Sequence, residues 1–289
     1  MAPPARSRLI FLDIDGTYAD RGVVPPGHVR AVAAARAAGN RVLLCTGRPK
    51  SMLTPHILAA GFDGMVASAG AWVEVDGEVL RDLRFPDDLA ARTVEVLDRT
   101  GAAYVLEAPD AIYGRAGVAG RLRSLLSGHQ HEGTRDRGQD ETDAPGDILA
   151  ALRTPASLDG CSFAKVTYFE ADEPRDAVRA AIGAGAVDIL PSSISALGDR
   201  AGEIHPAGMH KALGIGLVLE HLGAGREDVV AFGDGPNDLE MLEYAGTAVG
   251  VAGGDERVLA LADHVAAAPA AEGLVAAFAE LGLTAPPGR

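Results

Sequence analysis

Aromatic residues, cysteine and positive charge are all scarce in this sequence. Only 4% of its 289 residues are aromatic although 47% are hydrophobic, so its core must be built mainly from alanine, valine and leucine. The two cysteines, Cys45 and Cys161, lie far apart and indicate neither a disulfide scaffold nor a zinc site. We therefore expect a cytoplasmic protein with reduced thiols.

Long hydrophobic runs are missing as well. No stretch approaches the roughly 20 apolar residues that span a bilayer. The N-terminal segment MAPPARSR is short and lacks the apolar region of a signal peptide. We therefore expect no membrane partner.

Acidic residues outnumber basic ones by 40 to 26, which gives a formal net charge of -14. Nucleic acid would be repelled, and no cluster of lysine or arginine offsets the repulsion, so we expect no nucleic-acid partner. A small phosphate ester would be repelled too. Local cations must therefore reverse the field at any site that binds one, which is a reason to expect a divalent metal ion there. The sequence indicates no oligomeric state.

Strand and helix patterns alternate at both ends of the chain. Apolar runs predict strands near residues 9–12 and 41–45, and helical segments are predicted at 26–38 and 50–60. The alternation resumes with a strand at 229–232. This order predicts a parallel sheet with helices on both faces.

The middle of the chain has a different, α+β rhythm with its own apolar residues. Its last predicted strand lies at 194–197, and residues 127–146 are predicted to form a loop because they lack an apolar face. We expect two domains: a discontinuous core made of residues 1–84 and 199–289, and an inserted cap made of residues 85–198.

Two carboxylates stand two residues apart at the end of the first predicted strand. The run DIDGT places Asp13 and Asp15 there, and the following Gly16 can adopt a positive φ, so both side chains could converge on one ion or substrate. Such charges repel each other and would be costly to bury unless a cation lies between them or one is protonated. A solvated loop or helix cap is the alternative interpretation.

Two further predicted strands end in polar loops that contain glycine. One loop reads TGRP at residues 46–49 and the other reads GDGPND at residues 233–238. Ligands bind where the carboxyl ends of parallel strands meet, so we expect the three loops to form one site. Taken singly, each is also compatible with an ordinary turn.

The order and context of DIDGT, TGR, Lys211 and GDGPND resemble the four motifs of the haloacid dehalogenase (HAD) superfamily. The run EIHPAGMHKALGI followed by GDGPNDLEML is similar to the Cof-type branch, subfamily IIB, whose members are mostly Mg-dependent phosphatases of small phosphorylated metabolites. The resemblance covers residues 7–84 and 199–270. It implies a Rossmann-like α/β core with a parallel sheet and an inserted α+β cap of the C2 type.

The resemblance also implies a role for each motif. Asp13 is expected to attack phosphorus and form an aspartyl phosphate, while Asp15 acts as general acid and base. Mg²⁺ is expected between the Asp13 carboxylate, the Asp15 carbonyl and Asp234, with Asp238 just outside. The residues expected to bind phosphate are Thr46, Gly47, Lys211 and Asn237, of which Asn237 orients Lys211 or a phosphate oxygen.

Substrate specificity is expected to reside in the cap. The candidates there are Tyr104, Glu107, Tyr113, Arg115, Lys165 and Tyr168. Arg48 is expected either to contact phosphate or to reach toward the cap, and Thr17 to brace the loop that carries Asp13. Ala69 departs from the family pattern, because Cof-type proteins commonly have Asn at this place. The departure bears on specificity, since the four chemical motifs are intact.

We therefore predict a phosphoric monoester hydrolase, a Mg-dependent phosphatase of a sugar phosphate or a similar small metabolite. A phosphomutase or phosphotransferase on the same scaffold is the alternative. A binding protein without turnover is disfavoured because every reactive group is present. A dehalogenase is disfavoured because its chemistry needs neither Asp15 nor a metal. The sequence does not name the physiological ester.

Overall fold

The structure is a computed structural model that describes residues 7–20, 22–129, 144–192 and 195–284. Within these ranges the strands are β1 (Leu9–Leu12), β2 (Arg41–Cys45), β3 (Gly64–Ala67), β4 (Trp72–Val75), β5 (Glu78–Asp82), β6 (Ala103–Glu107), β7 (Ile112–Tyr113), β8 (Leu152–Arg153), β9 (Lys165–Phe169), β10 (Val187–Pro191), β11 (Gly202–Pro206), β12 (Val229–Gly233), β13 (Thr247–Val251) and β14 (His264–Ala266). The α-helices are α1 (Pro26–Ala37), α2 (Asp87–Arg99), α3 (Val118–His129), α4 (Ala144–Ala151), α5 (Arg175–Ile182), α6 (Lys211–Leu222), α7 (Leu239–Tyr244), α8 (Glu256–Leu261) and α9 (Gly273–Glu280).

The chain divides into two compact units. The first unit consists of Met1–Arg48, Leu53–Asp82 and His210–Arg289. Its sheet has the strand order β14-β13-β12-β1-β2-β3-β4-β5, in which the strands from β14 to β3 are parallel and β4 and β5 are antiparallel. Because β1 lies between β12 and β2, the carboxyl ends of these three strands meet at one edge of the sheet.

Apolar side chains alternate between the two faces of this central sheet. Ile10 and Leu12 belong to a core that is completed by α1 and α9, whereas Leu9 and Phe11 belong to a second core with α6 and α7. Both faces of β1 are therefore buried, which explains why its sequence is a continuous apolar run and not an alternating one. The buried strands hold the loops at their carboxyl ends in place.

The second unit consists of Pro49–Met52 and Leu83–Met209. Its sheet has the order β10-β11-β9-β6-β7-β8 and is antiparallel except for the β7–β8 pair. The side chains of Tyr104, Leu106 and Val166 point to one face of the sheet, where they form a core with α2 and α5. Ala103 and Val105 point to the other face, where their core includes residues of α3.

The structure differs from the sequence-based expectations at three places. Residues 202–206 form β11 of the second sheet, so this unit extends to Met209 and not to residue 198. The prediction of a strand at 194–197 is wrong for residues 195–197, the part of it that the structure describes, because Ser195–Arg200 forms a 3₁₀ helix. The helix predicted at 50–60 is replaced by two short 3₁₀ helices, since Pro55 lies between them and lacks a backbone N–H.

The loop predicted at 127–146 lies mostly outside the described residues. Its two ends are helical, because α3 extends to His129 and α4 begins at Ala144. No helix in the described ranges combines the length and the apolar composition that crossing a bilayer requires.

Candidate active site

The carboxyl ends of β1 and β12 bring two acidic loops together. The backbone N–H of Asp13 donates to the carbonyl of Phe232 at 3.0 Å, which continues the parallel pairing of the two strands. The Thr17 hydroxyl donates to Oδ1 of Asp234 at 2.7 Å. Thr17 thus braces the loop through Asp234, and residues more than 200 positions apart in sequence meet at one edge of the sheet.

Three of the predicted carboxylates form a tight group. Asp13, Asp234 and Asp238 each offer one oxygen, and these oxygens all lie within 4.8 Å of one another. Asp13 and Asp238 are buried, and Asp234 is partly buried. Gly16 makes room for the group: its φ is +90°, and a side chain here would overlap the Asp234 carboxylate.

Lys211 lies between two of these carboxylates, those of Asp13 and Asp238. It is fully buried, and its Nζ donates to Oδ1 of Asp13 at 2.7 Å and to Oδ1 of Asp238. Burial disfavours the charged ammonium group, but the carboxylates of Asp13 and Asp238 outweigh that effect and raise the pKa of Lys211. The lysine is therefore a permanent positive charge in the site.

The site nevertheless carries too much negative charge. Burial, and then the neighbouring Asp238, raise the pKa of Asp13 well above its usual range, although Lys211 opposes the shift. Burial also raises the pKa of Asp234 to about 6, against the hydrogen bond from Thr17. Three ionised carboxylates beside one ammonium group leave an excess of two negative charges. A divalent cation among these oxygens would neutralise it, so the residues present fit a metal ion of that charge.

Asp238 also holds its own loop. Its Oδ2 accepts hydrogen bonds from the backbone N–H groups of Asp234 at 3.0 Å and Gly235 at 2.9 Å, while Oδ1 accepts from Lys211. Lys211 is thus oriented by Asp13 and Asp238, while the expected role of Asn237, to orient Lys211 or a phosphate oxygen, stays a prediction. The side chain of Asn237 is exposed and lies near the loop that follows β2. A Cβ built at Gly47 in that loop would stand 3.7 Å from Nδ2 of Asn237.

The loop after β2 contributes Thr46, Gly47 and Arg48. Thr46 is almost fully buried; its backbone N–H donates to the carbonyl of Val66 at 2.8 Å, and its hydroxyl accepts from the backbone N–H of Arg48 at 3.1 Å. These bonds fix the loop at the same edge of the sheet as Asp13. The roles of Thr46 and Gly47 in phosphate binding stay predictions.

Arg48 and Asp15 form a two-pronged ion pair. The guanidinium donates from Nε to Oδ2 of Asp15 at 2.7 Å and from Nη2 to Oδ1 at 2.6 Å. The arginine side chain is 9% exposed and the aspartate side chain is 51% exposed. A bidentate pair fixes the orientation of the carboxylate. Arg48 therefore holds the half-exposed Asp15 carboxylate, and this partner was not predicted from the motif pattern alone.

Comparison with known proteins assigns a family to this chain. The family model of the haloacid dehalogenase-like hydrolases matches residues 10–278, which is most of the sequence. The chain belongs to this family.

Several relatives of this HAD hydrolase are named as phosphatases. YkrA of Bacillus subtilis, named as a candidate phosphatase, is 27% identical over 283 residues, which cover 96% of this chain and 98% of YkrA. A crystal structure from Geobacillus kaustophilus HTA426 has a TM-score of 0.78 at 25% identity and covers 96% of this chain and 100% of its own. The HAD subclass IIB sugar phosphatase BT4131 has a TM-score of 0.74 at 22% identity, with 96% and 100% covered, and shares the fold.

These matches confirm several predictions made from the motifs. The fold class, a Rossmann-like core with an inserted α+β cap, is confirmed, so the second unit is the cap of this HAD hydrolase. The Cof-type branch and the enzyme class of phosphatase are confirmed as well. The individual site residues stay predictions that the geometry supports.

A short segment after β3 supports the loop of this HAD hydrolase that follows β2 and contains Thr46, Gly47 and Arg48. Ser68, Ala69 and Gly70 have φ values of 47°, 54° and 102°, so three successive residues are left-handed. The backbone N–H groups of Ser68 and Ala69 donate to the carbonyls of Arg48 at 2.9 Å and Thr46 at 3.0 Å. The only signal for this segment in the sequence was the family position of Ala69, where an asparagine tolerates such a φ better than an alanine does.

The structure brings together only some of the specificity candidates in the cap. Tyr104 donates through its hydroxyl to Asp98 at 2.7 Å, and Arg115 pairs with the same carboxylate. Tyr113 donates to Asp110 at 2.7 Å. The involvement of Tyr104, Tyr113 and Arg115 in specificity stays a prediction, since the polar atoms of all three already have partners within the cap. Two further candidates, Glu107 and Lys165, pair directly across β6 and β9.

Proposed function

We propose that this HAD hydrolase is a Mg²⁺-dependent phosphatase that cleaves a small phosphorylated metabolite through an aspartyl phosphate on Asp13. The observation that carries the proposal is the buried group formed by Asp13, Lys211, Asp234 and Asp238. It places a carboxylate nucleophile next to a fixed cation and to further oxygens that suit a hard divalent ion.

The residues that would hold the metal are Asp13, Asp234 and Asp238, with the carbonyl of Asp15 as a further ligand. Mg²⁺ prefers oxygen ligands, and this set offers carboxylate oxygens that lie close together. When bound, the ion supplies positive charge that stabilises the phosphoryl oxygens in the transition state.

Asp13 performs the first chemical step in this proposal. Its Oδ1 accepts from Lys211, so we assign the attack on phosphorus to Oδ2. The new bond joins Oδ2 to phosphorus as the ester P–O bond breaks, and Asp15 transfers a proton to the leaving alkoxide oxygen. Thr46, Gly47, Lys211 and Asn237 supply hydrogen bonds and positive potential to the equatorial oxygens.

Asp15 also serves the second step. As a carboxylate it removes a proton from a water molecule, and the water oxygen attacks phosphorus. The bond between phosphorus and Asp13 Oδ2 breaks, which releases inorganic phosphate and restores the Asp13 carboxylate. Arg48 positions the ionised Asp15 for this second step, because its guanidinium donates to both carboxylate oxygens.

The proposal is tested with the variant Asp13→Asn and phenyl phosphate as substrate. We expect kcat to fall at least about a thousandfold, since an amide cannot form the covalent intermediate. EDTA should silence the wild type, and Mg²⁺ should restore activity. Asp88→Asn, the same change at an exposed position in α2, serves as the control and should keep full activity. Substantial turnover by folded Asp13→Asn would remove Asp13 from the role of nucleophile.

The alternative of a phosphomutase or phosphotransferase is separated by its products. Hydrolysis releases inorganic phosphate in proportion to the ester that is consumed. A mutase would convert one hexose phosphate into its isomer without that release, and this result would replace the hydrolytic step of the proposal.

A further inference from the structure

A fully buried histidine of α1 contacts the loop that carries Asp13 and Asp15. The Nδ1 atom of this residue, His28, lies 2.9 Å from the carbonyl oxygen of Tyr18. Its Nε2 lies 3.2 Å from the backbone nitrogen of Leu274, which is in the first turn of α9. All of these residues belong to the first unit, and the chemistry proposed above does not use His28.

The two partners of His28 determine which ring nitrogen carries the hydrogen. The backbone N–H of Leu274 can only donate, so Nε2 accepts and has no hydrogen. Nδ1 therefore carries the hydrogen and donates it to the carbonyl of Tyr18, which can only accept. Burial lowers the pKa of His28, against the hydrogen bond to Tyr18 and the charge of Glu272, so the ring is neutral near pH 7.

The peptide group between Tyr18 and Ala19 connects the histidine to Asp15. Its carbonyl accepts from the histidine, and its N–H donates to the carbonyl of Ile14 at 2.7 Å. The carbonyl of Ala19 in turn accepts from the N–H of Gly16 at 2.9 Å. Hydrogen bonds on both sides of Asp15 thus hold it against Ala19, and the bonds in such a chain strengthen one another.

These hydrogen bonds orient the backbone of Asp15. The N–H of Gly16 and the carbonyl of Asp15 belong to one peptide group, so the bond to Ala19 fixes the carbonyl that would help to hold the metal ion. The half-exposed side chain of Asp15 is held at its carboxylate by Arg48. Both ends of the residue therefore have a defined position, one through Arg48 and the other through the loop.

Packing alone does not orient the peptide group that follows Tyr18. The Tyr18 ring contacts Phe62 edge-on with ring centroids 5.4 Å apart, and its hydroxyl has no hydrogen-bond partner among the residues that the structure describes. Apolar contacts have no preferred direction, whereas a hydrogen bond does. The bond from His28 is therefore a directional contact on this peptide group from outside the loop.

We infer that His28 is a positioning residue for Asp15, both for its proton transfers and for the carbonyl that it offers to the metal ion. The inference rests on the proposed phosphatase function and adds a residue of α1 to the groups that this function needs. The Nδ1–H of His28 acts on Asp15 through the peptide group after Tyr18. The Nε2 atom fixes the ring to α9 and does not contact the loop.

Two substitutions separate the roles of the two ring nitrogens. In His28→Asn the amide nitrogen lies two bonds from Cβ, as Nδ1 does, so it can still donate to Tyr18 while the acceptor for Leu274 is lost. In His28→Gln the amide oxygen lies three bonds from Cβ, as Nε2 does, so it can accept from Leu274 while the donor to Tyr18 is lost. Each variant loses one buried hydrogen bond and is the matched control for the other.

Kinetics with phenyl phosphate measure the effect on the chemistry. We expect His28→Gln to lower kcat about tenfold, the effect of one hydrogen bond. KM should not change, because the residues expected to bind phosphate lie outside this loop. His28→Asn should keep kcat within about twofold of the wild type, although its loss of thermal stability is similar. Glu272→Ala removes another contact between α1 and α9, a hydrogen bond from the N–H of Gly27 at 2.6 Å, and should leave kcat unchanged.

Binding of Mg²⁺ provides a measurement that does not depend on turnover. The rise in melting temperature with Mg²⁺ concentration gives a dissociation constant for the ion. This constant should be about tenfold larger in His28→Gln and unchanged in His28→Asn, since a group that orients a metal ligand typically contributes such a factor. If one variant is unfolded in buffer, all proteins are compared in trimethylamine N-oxide, which favours the folded chain.

The inference and the proposed function fail in different ways. Equal kcat values or equal Mg²⁺ dissociation constants in the wild type and His28→Gln would overturn the inference. An equally large loss in His28→Asn would also overturn it, because a purely structural role affects both variants alike. Absence of phosphate release by the wild type would instead overturn the proposed function, and the Mg²⁺ titration would then decide the inference. A wild type that also fails to bind Mg²⁺ would overturn both.

Discussion

The core and the cap of this HAD hydrolase each bury one lysine between two carboxylates. In the core, Lys211 contacts Asp13 and Asp238; in the cap, Lys165 contacts Glu107 and Glu203. The two groups differ in their next neighbour. The core has a third carboxylate, that of Asp234, whereas the cap has His205, whose low pKa keeps it neutral near pH 7.

The presence of Asp234 in the core and of His205 in the cap gives the two groups different net charges. The core is left with an excess of two negative charges and fits a divalent cation. In the cap, Lys165 and its two carboxylates leave an excess of one negative charge beside an imidazole that has no hydrogen-bond partner among the residues that the structure describes. Buried lysine alone therefore says little about function; the number of carboxylates around it decides what else can bind.

The largest effect is expected when each lysine is removed. Lys211→Met and Lys165→Met should each lower the free energy of unfolding by about 3–5 kcal/mol, because two buried carboxylates lose their counter-charge. Mg²⁺ should restore a large part of the loss in Lys211→Met, since the ion binds the same carboxylates, and little in Lys165→Met. Urea unfolding with and without Mg²⁺ measures both effects.

Each lysine variant is the control for the other, since the substitution is the same and both side chains are buried. Equal rescue by Mg²⁺ in the two variants would contradict the contrast drawn between core and cap. Rescue of Lys165→Met alone would place the cation site in the cap.

The core site could be predicted from the sequence because its residues lie in short loops at the ends of apolar strands. Asp13 and Asp234 follow β1 and β12, and a parallel sheet brings such ends together whatever the rest of the chain does. Lys211 was different. A lysine at the start of a helix is usually exposed, and only its place in the family motif indicated a role in phosphate binding; its burial beside Asp13 was not predicted.

The charged group in the cap, formed by Glu107, Lys165, Glu203 and His205, could not be predicted as a group. Glu107 and Lys165 were candidates one by one, but their meeting depends on the register of antiparallel strands that are nearly 60 residues apart in sequence. Glu203 and His205 were missed because residues 202–206 were assigned to the core domain, whereas they form β11 of the cap sheet. The pairing of Arg48 with Asp15 likewise depends on side-chain geometry that no spacing in the sequence encodes.

The free energy of unfolding measured as a function of pH tests whether His205 in the cap is neutral, which is one of the differences between cap and core. The pKa of His205 is about 4 in the folded protein and 6.5 in an ordinary environment. As the pH falls through 6.5, the unfolded chain takes up a proton that the folded chain does not, so stability is complete above pH 6.5 and is lost between pH 6.5 and 4. The loss attributable to this residue should reach about 3 kcal/mol.

His205→Gln isolates this contribution from those of the facing charges of Lys165, Glu203 and Asp188. Urea unfolding of the two proteins across this pH range should show a difference that changes by about 3 kcal/mol. A difference that does not vary with pH would mean that burial does not hold His205 neutral.

The smallest effect concerns the backbone that supports the core site. Ala69 is left-handed, with φ 54° and ψ 31°, and such a conformation costs about 1–2 kcal/mol for a residue with a Cβ. Ala69→Gly should therefore raise the free energy of unfolding by about 1 kcal/mol, while Ala67→Gly, at an extended residue two positions earlier, should lower it. Opposite signs for the same substitution would establish that strain at residue 69, and not the loss of a methyl group, dominates. A loss of stability in both variants would mean that residue 69 is not strained. The segment that donates the Ala69 N–H to the carbonyl of Thr46 would then support the core site without a conformational cost.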